Sequence, residues 1–232
     1  MLTRREALRA RLTALGAWLG RWQSAPALPR GDVSAAPHDA SGDDWSGGYY
    51  ELALQLGGPD DDRVDRALRA LAAVPELDGW WPERPGASGA RVACALASLD
   101  GRGRLYGWAV LPDGSRTACV LLTLREDEDD GPDWLSLGFP MGALSRTLPG
   151  VDGYPMGDAG ASSLTWRRPL DAWLAAVGRA VFAAAPFQFG LIGFEPGGSF
   201  PLDGRLPKPS DAGLDGWLLP DGTTLRYLPA SL

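Results

Sequence analysis

Two Pro-Asp-Gly turns constrain this chain more than any other feature of its sequence. Pro112-Asp113-Gly114 and Pro220-Asp221-Gly222 each separate two short apolar stretches, 105–111 from 116–124 and 217–219 from 224–228. A chain reversed that tightly lays its flanks side by side in opposite directions. A third turn-rich connection, Asp100-Gly101-Arg102-Gly103, follows another apolar stretch at 92–99. Three neighbouring strands of similar length therefore form an expected meander. Residues 134–139 make a further apolar strand, ended by Pro140.

Upstream, 49–56 alternates with period two. Tyr50, Leu52, Leu54 and Leu56 share one face, while Glu51 and Gln55 fall on the other, which reads as a strand with Glu51 on its solvent side. Gly57-Gly58-Pro59 ends it, and Asp60, Asp61 or Asp62 can cap a helix whose Val64, Leu68 and Leu71 mark one face. That helix stops near Pro75, and Trp80-Trp81 occupy a short extended stretch before Pro82 and Pro85. A second helix is expected from Pro169, with Leu170, Trp173, Leu174, Val177 and Val181 on one face, up to Pro186. The apolar strand 187–195 follows, while 140–168 and 196–215 read as Gly/Pro-rich loops. Strands outnumber helices and lie mostly in hairpin order. The expected class is α+β: an antiparallel-dominated sheet with two helices packed on one face. The order strand, helix, strand occurs twice and suggests a duplication that residue identity does not support.

Ahead of this body, which spans 49–232, come an amphipathic helix (1–22) and a linker (23–48). Thr3-Arg4-Arg5-Glu6 has capping-box spacing, and Leu8, Leu12, Leu15 and Leu19, with Trp18 and Trp22, form an apolar stripe. The helix has three possible uses: docking on its own body or a sister chain, an export signal of twin-arginine type, or a basic helix on an anionic membrane. Arg11 and Arg21 interrupt the apolar region an export signal needs, so a cytoplasmic location is the expectation. Fifteen of the twenty-six residues 23–48 are Pro, Gly, Ser or Asp, which favours a flexible tract. His38, the only histidine, lies there and is expected to be exposed and silent.

Composition then excludes several functions. One histidine removes most zinc sites and most Ser-His or Cys-His catalysis, and two cysteines in 232 residues rule out a disulfide scaffold. Cys94 and Cys119 fall in expected strands and read as buried thiols. No run of apolar residues reaches membrane-spanning length. No phosphate loop or nucleophile elbow is present; Gly101, Gly103 and Gly107 miss the dinucleotide spacing and join strands. Neither a cofactor nor a metal is expected. The net charge is −7, but the first thirty residues carry +5, so the remainder carries −12. Such a body repels nucleic acid and attracts basic partners.

The densest acidic run is Glu126, Asp127, Glu128, Asp129 and Asp130. Aligned as a calcium loop it has Gly131 at position six but Leu137 where a bidentate Glu is required, so an EF-hand is rejected. A solvated loop, a loose attraction for cations or a docking surface for a basic protein remain. Trp80 and Trp81, as neighbours on a strand, point to opposite faces, so one of them can be exposed as an anchor. Glu51 and Glu195 lie beside aromatic residues, and a carboxyl in such a setting can act as an acid, which keeps a carboxylate-dependent hydrolase as an alternative.

The strand 49–56, the helix around Val64–Leu71 leading to Trp80-Trp81 and the closing 216–225 hairpin together resemble, in layout and acidity, small immunity proteins of bacterial polymorphic toxin systems. The resemblance covers 49–85 and 213–232 and contains no diagnostic motif. It implies a non-enzymatic inhibitor that masks the active site of a basic toxin or nuclease. The expected contact residues are Asp60, Asp61, Asp62, Trp80, Trp81 and the five acids at 126–130. The N-terminal helix is not part of that pattern. It leaves a third possibility, a structural or assembly subunit that oligomerises through it.

Overall fold

The computed structural model describes residues 42–84, 90–99, 103–125, 131–151, 160–196 and 213–231. The expected N-terminal helix, His38 and the run Glu126 to Asp130 lie outside them. In chain order the elements are β1 (Tyr49–Gly57), α1 (Asp61–Ala72), β2 (Leu77–Trp81), β3 (Arg104–Val110), β4 (Arg116–Arg125), β5 (Asp133–Pro140), α2 (Met141–Thr147), α3 (Gly160–Ala184), β6 (Phe189–Phe194), β7 (Gly216–Asp221) and β8 (Thr224–Leu228). The eight strands form one antiparallel sheet in the order β2-β3-β4-β5-β1-β6-β7-β8. Two meanders, β2–β5 and β6–β8, are thus joined by β1, which hydrogen-bonds β5 on one side and β6 on the other. The class is α+β, as the hairpin signals require.

The two crossovers differ. α1 carries the chain from β1 past three strands to the sheet edge, whereas the helices after β5 carry it past β1 alone. The two strand–helix–strand passages are therefore not spatial repeats.

Asp60 caps α1, its side chain accepting from the Arg63 N–H at 3.0 Å, while Asp61 and Asp62 sit favourably in the first turn of the helix dipole. Val64, Ala67, Leu68 and Leu71 form its buried stripe. They meet Leu52, Leu54, Leu56 and Tyr50 of β1 and Leu170, Leu174, Val177 and Val181 of α3 in the main core. Each of the larger side chains contributes roughly 1.5–3 kcal/mol by leaving water. At Gly178 a methyl group would collide with the Leu218 side chain, so glycine lets α3 settle close on the sheet. α1 and α3 thus cover one face of the sheet, here called the first. None of the helices among the described residues is long and apolar enough to cross a membrane.

Several expectations are corrected. Residues 92–99 are not a strand: β2 takes the place beside β3, and Val92 makes a lone bridge to the outer edge of β2 at Trp80. Cys94 therefore lies outside any strand, its thiol donating to the Leu68 carbonyl at 3.4 Å. α3 begins at Gly160, and Pro169 sits inside it. Residues 140–168 hold α2 as well as the start of α3. Gly42–Trp45, within the stretch read as linker, forms a 3-10 turn whose Trp45 is buried. Glu51 is not on a solvent face. It is only 5% exposed, because the second face of the sheet is apolar too. There Trp45, Tyr49, Tyr106, Val120 and Leu122 pack with Ala143 of α2, and Ala53, Phe189, Leu191, Trp217 and Leu219 form another cluster.

Candidate functional site

Charged groups gather at two opposite ends of the sheet. One end joins the finish of β1 and β4 to the start of β5. There Arg125 reaches Asp133 with Nε (2.7 Å to Oδ1) and with Nη2 (3.0 Å to Oδ2), and its Nη2 also lies 2.7 Å from Asp61 Oδ1. Asp133 Oδ2 further accepts from the Asp60 N–H at 2.8 Å, and Arg63 pairs with Asp60 at 3.1 Å. The cap from Arg63 N–H holds the Asp60 carboxyl below its ordinary range. Asp60, Asp61 and Asp62 thus serve the helix and its neighbours while Asp61 and Asp62 remain exposed.

The Trp pair divides as the strand period requires. Trp80 is buried in the main core and Trp81 is half-buried on the second face, under the guanidinium of Arg91 at 5.0 Å. Arg116 lies 4.8 Å over Trp108 nearby, and Asp78 pairs with both arginines at 3.3 and 3.4 Å. Trp81 and the three aspartates are not brought into contact: β3 and β4 lie between β2 and β5.

At the other end β1 and β7 begin and β6 finishes. Glu51 faces Gly138 of β5 and Gly193 of β6, so the floor on either side of its carboxyl bears no side chain. Ser136 donates its hydroxyl to Glu51 Oε2. A methyl group at Gly193 would collide with the Asp215 carboxylate, which therefore lies over the position opposite Glu51. Glu195 closes the group: its N–H donates to the Tyr49 carbonyl at 3.0 Å, and its φ of 43° is a left-handed conformation that costs a non-glycine residue about 1–2 kcal/mol. Burial pushes Glu51 up to about 7, against the lowering effect of the Ser136 hydroxyl and with repulsion from Glu195 and Asp215. Burial also raises Glu195.

The first face of the same strands carries a second network. The Tyr50 hydroxyl donates to Asp171 Oδ1 and accepts from Arg167 Nε at 2.9 Å, and Arg167 Nη2 donates to the carbonyl of Leu214, next to Asp215. Burial lifts Asp171 to about 6, opposed by Tyr50 and Arg167. Behind Tyr50, whose ring meets Trp166 edge-on at 5.1 Å, runs an apolar groove lined by Pro112, Leu148, Pro149, Trp166, Pro169 and Leu170.

A carboxyl near 7 can give or take a proton at neutral pH, which is the capability of the Glu51 end. The exposed acids at the Asp61 end can only attract or pair. No group of three His, Cys, Asp or Glu among the described residues is placed to hold a metal ion. Cys94 and Cys119 are free and buried, with burial pushing the Cys94 thiol up to about 12 and Cys119 up as well.

Sequence reasoning missed Tyr50, Arg167, Asp171 and Asp215. The signal was present: Arg167 and Asp171 fall at i and i+4 within the stripe of Leu170 and Leu174, where charged residues have no place unless paired. Starting the helix at Pro169 left Arg167 outside it. Comparison with protein-family models, curated proteins and solved structures finds no match to this chain.

Proposed function

We propose that this chain is a non-enzymatic protein-binding protein that masks a basic surface of another protein, in the manner of an immunity protein against a toxin or nuclease. The observation that carries this reading is the 2.7 Å pair between Arg125 and Asp61, because residue 126 opens the acidic run and follows Arg125 directly. The two acidic segments, 60–62 and 126–130, are more than sixty positions apart in sequence, and the pair sets Asp61 against the residue that directly precedes the second of them. Concentrated charge of one sign speeds encounter with a partner of the other. Half-buried Trp81, a residue type that anchors interfaces, adds apolar contact from the edge strand. The acidic body disfavours nucleic acid as the direct ligand. In this reading the protein works in the cytoplasm.

The test is affinity capture from the native host followed by kinetics with the captured protein. A variant carrying lysine at 61, 62 and 126–130 keeps the Asp60 cap. It is expected to associate at least ten-fold more slowly, with a weaker dependence on salt. An unchanged association rate sinks the reading.

A second reading, a carboxylate-dependent hydrolase, is favoured by the buried Glu51 beside Glu195 and Asp215, since acids held near neutrality are suited to proton transfer. It requires turnover of glycoside or ester substrates that Glu51→Gln abolishes while the fold is retained.

A further inference from the structure

The edge strand β2 carries a surface unlike the acidic end of the sheet. Between Asp78 and Trp80 its pairing with β3 slips at Gly79, whose φ of 67° is left-handed. Such a bulge re-aims the side chains around it. A methyl group at Gly79 would strike the Trp81 ring and press on the Arg91 guanidinium, so glycine lets both fold back over the bulge. On the same face Trp108 pairs with Asp78, and Arg116 pairs with Val110. Two guanidinium–indole stacks result, Arg91 at 5.0 Å over Trp81 and Arg116 at 4.8 Å over Trp108. The Asp78 carboxylate joins them, one oxygen 3.3 Å from Arg91 and the other 3.4 Å from Arg116. We propose that this corner of the second face docks an acidic segment of a partner protein, whose carboxylates bind Arg91 and Arg116 and whose apolar side chain packs on Val110.

Three observations set that chemistry. The first is charge: two cations share one carboxylate, at distances long for a charge-assisted hydrogen bond. Each guanidinium fork has five N–H donors suited to a carboxylate, and stacking on an indole holds the fork in place before a ligand arrives. The second is access. The side chains of Arg91, Asp78 and Arg116 are 59%, 52% and 32% exposed. Val110 beside them is one of two large apolar side chains left exposed among the described residues. The third separates protein from nucleic acid. A guanidinium already covers a face of each indole, where a base would have to stack, and the acidic body repels a phosphate chain. Trp81 serves here as the shelf that holds Arg91. The inference stands apart from the Asp61 end, which attracts the opposite charge; a partner touching both would carry a basic surface and an acidic one.

The test uses the full-length chain and a fluorescent peptide of Glu-Glu-Leu repeats. Binding is expected at or below about millimolar peptide and should weaken with salt. The indole signals of Trp81 and Trp108 should shift on binding, and that of Trp173 should not. Arg91→Gln/Arg116→Gln should weaken binding about ten-fold. Asp78→Asn, which releases both guanidinium groups, should tighten it about three-fold, a change that a purely structural Asp78 would not produce. The proposal is overturned if the peptide does not bind, if a Gln-Gln-Leu peptide binds as tightly, or if either variant melts as the wild type does and binds unchanged. Tighter binding of an oligothymidylate, lost with the same two arginines, overturns it in favour of nucleic acid.

Discussion

The two ends of the sheet use the same kinds of side chain in opposite ways. At the Asp61 end, Asp61 is 67% and Arg125 40% exposed, and the pair forms in contact with water. At the Tyr50 end, Arg167 and Asp171 are 4% and 2% exposed, and every polar atom must find its partner inside the protein. A surface pair contributes little because water competes for both members. A buried pair adds little net stability as a whole, yet losing one member leaves an uncompensated charge. Geometry alone would not separate the two ends. Access to water does, and it predicts very different responses to substitution.

The largest response should follow from Arg167→Met. It keeps the apolar stem but strands the Asp171 carboxyl, and it removes donors from the Tyr50 hydroxyl and the Leu214 carbonyl. Unfolding in urea should show a loss of about 3–5 kcal/mol. Combining it with Asp171→Asn should restore part of that loss, since the stranded charge goes with it. A loss below about 1 kcal/mol would mean that water reaches this network and that the contrast between the two ends is false.

Next comes Glu51, where pH sharpens the contrast. Its folded pKa of about 7 lies above the ordinary 4.5, so the folded state holds a proton that the unfolded chain gives up. The resulting stability is fully present below about 4.5 and is lost as pH rises to about 7, by about 3 kcal/mol in all. Asp171, raised to about 6, acts in the same direction. Glu51→Gln keeps an acceptor for the Ser136 hydroxyl and removes the charge. The variant should therefore be about 3 kcal/mol more stable than the wild type at pH 8 and little different at pH 4. Thermal unfolding across that range measures it, and equal slopes for the two proteins would show that Glu51 ionises freely.

The same contrast explains what could be read in the sequence. Both Pro-Asp-Gly hairpins, the period-two face of β1 and the capped α1 are local features, set by residues a few positions apart, and all are present. The place of β1 between β5 and β6 is not local. It depends on which apolar edges meet, and nothing in 49–57 specifies a partner more than seventy residues away. Glu51 was misplaced for the same reason: alternation with Leu52 and Leu54 shows that the two sides of β1 differ, not that the other side is wet. The strand expected at 92–99 lost its place to Leu77–Trp81, a competition that local pattern cannot judge. The Tyr50–Asp171–Arg167 network joins residues more than a hundred positions apart in sequence, and only the charged pair inside a helical stripe hinted at it.

The smallest effects belong to the wet end, where the pH dependence also runs the other way. Asp60→Ala removes the cap that accepts from Arg63, and the melting temperature should fall by a few degrees. Asp60 has its carboxyl lowered, so its contribution is present above the ordinary carboxylate pKa and disappears as pH falls through the lowered one, opposite to Glu51. Asp61→Asn should do less still. Its partner Arg125 keeps both contacts to Asp133, and a pair so exposed contributes below about 1 kcal/mol, less in high salt. A partner-binding end needs this economy, because residues that hold the fold only weakly are free to meet another molecule. If Asp61→Asn destabilises as much as Arg167→Met, then Asp61 belongs to the scaffold, and the acidic end loses its claim to be a contact surface.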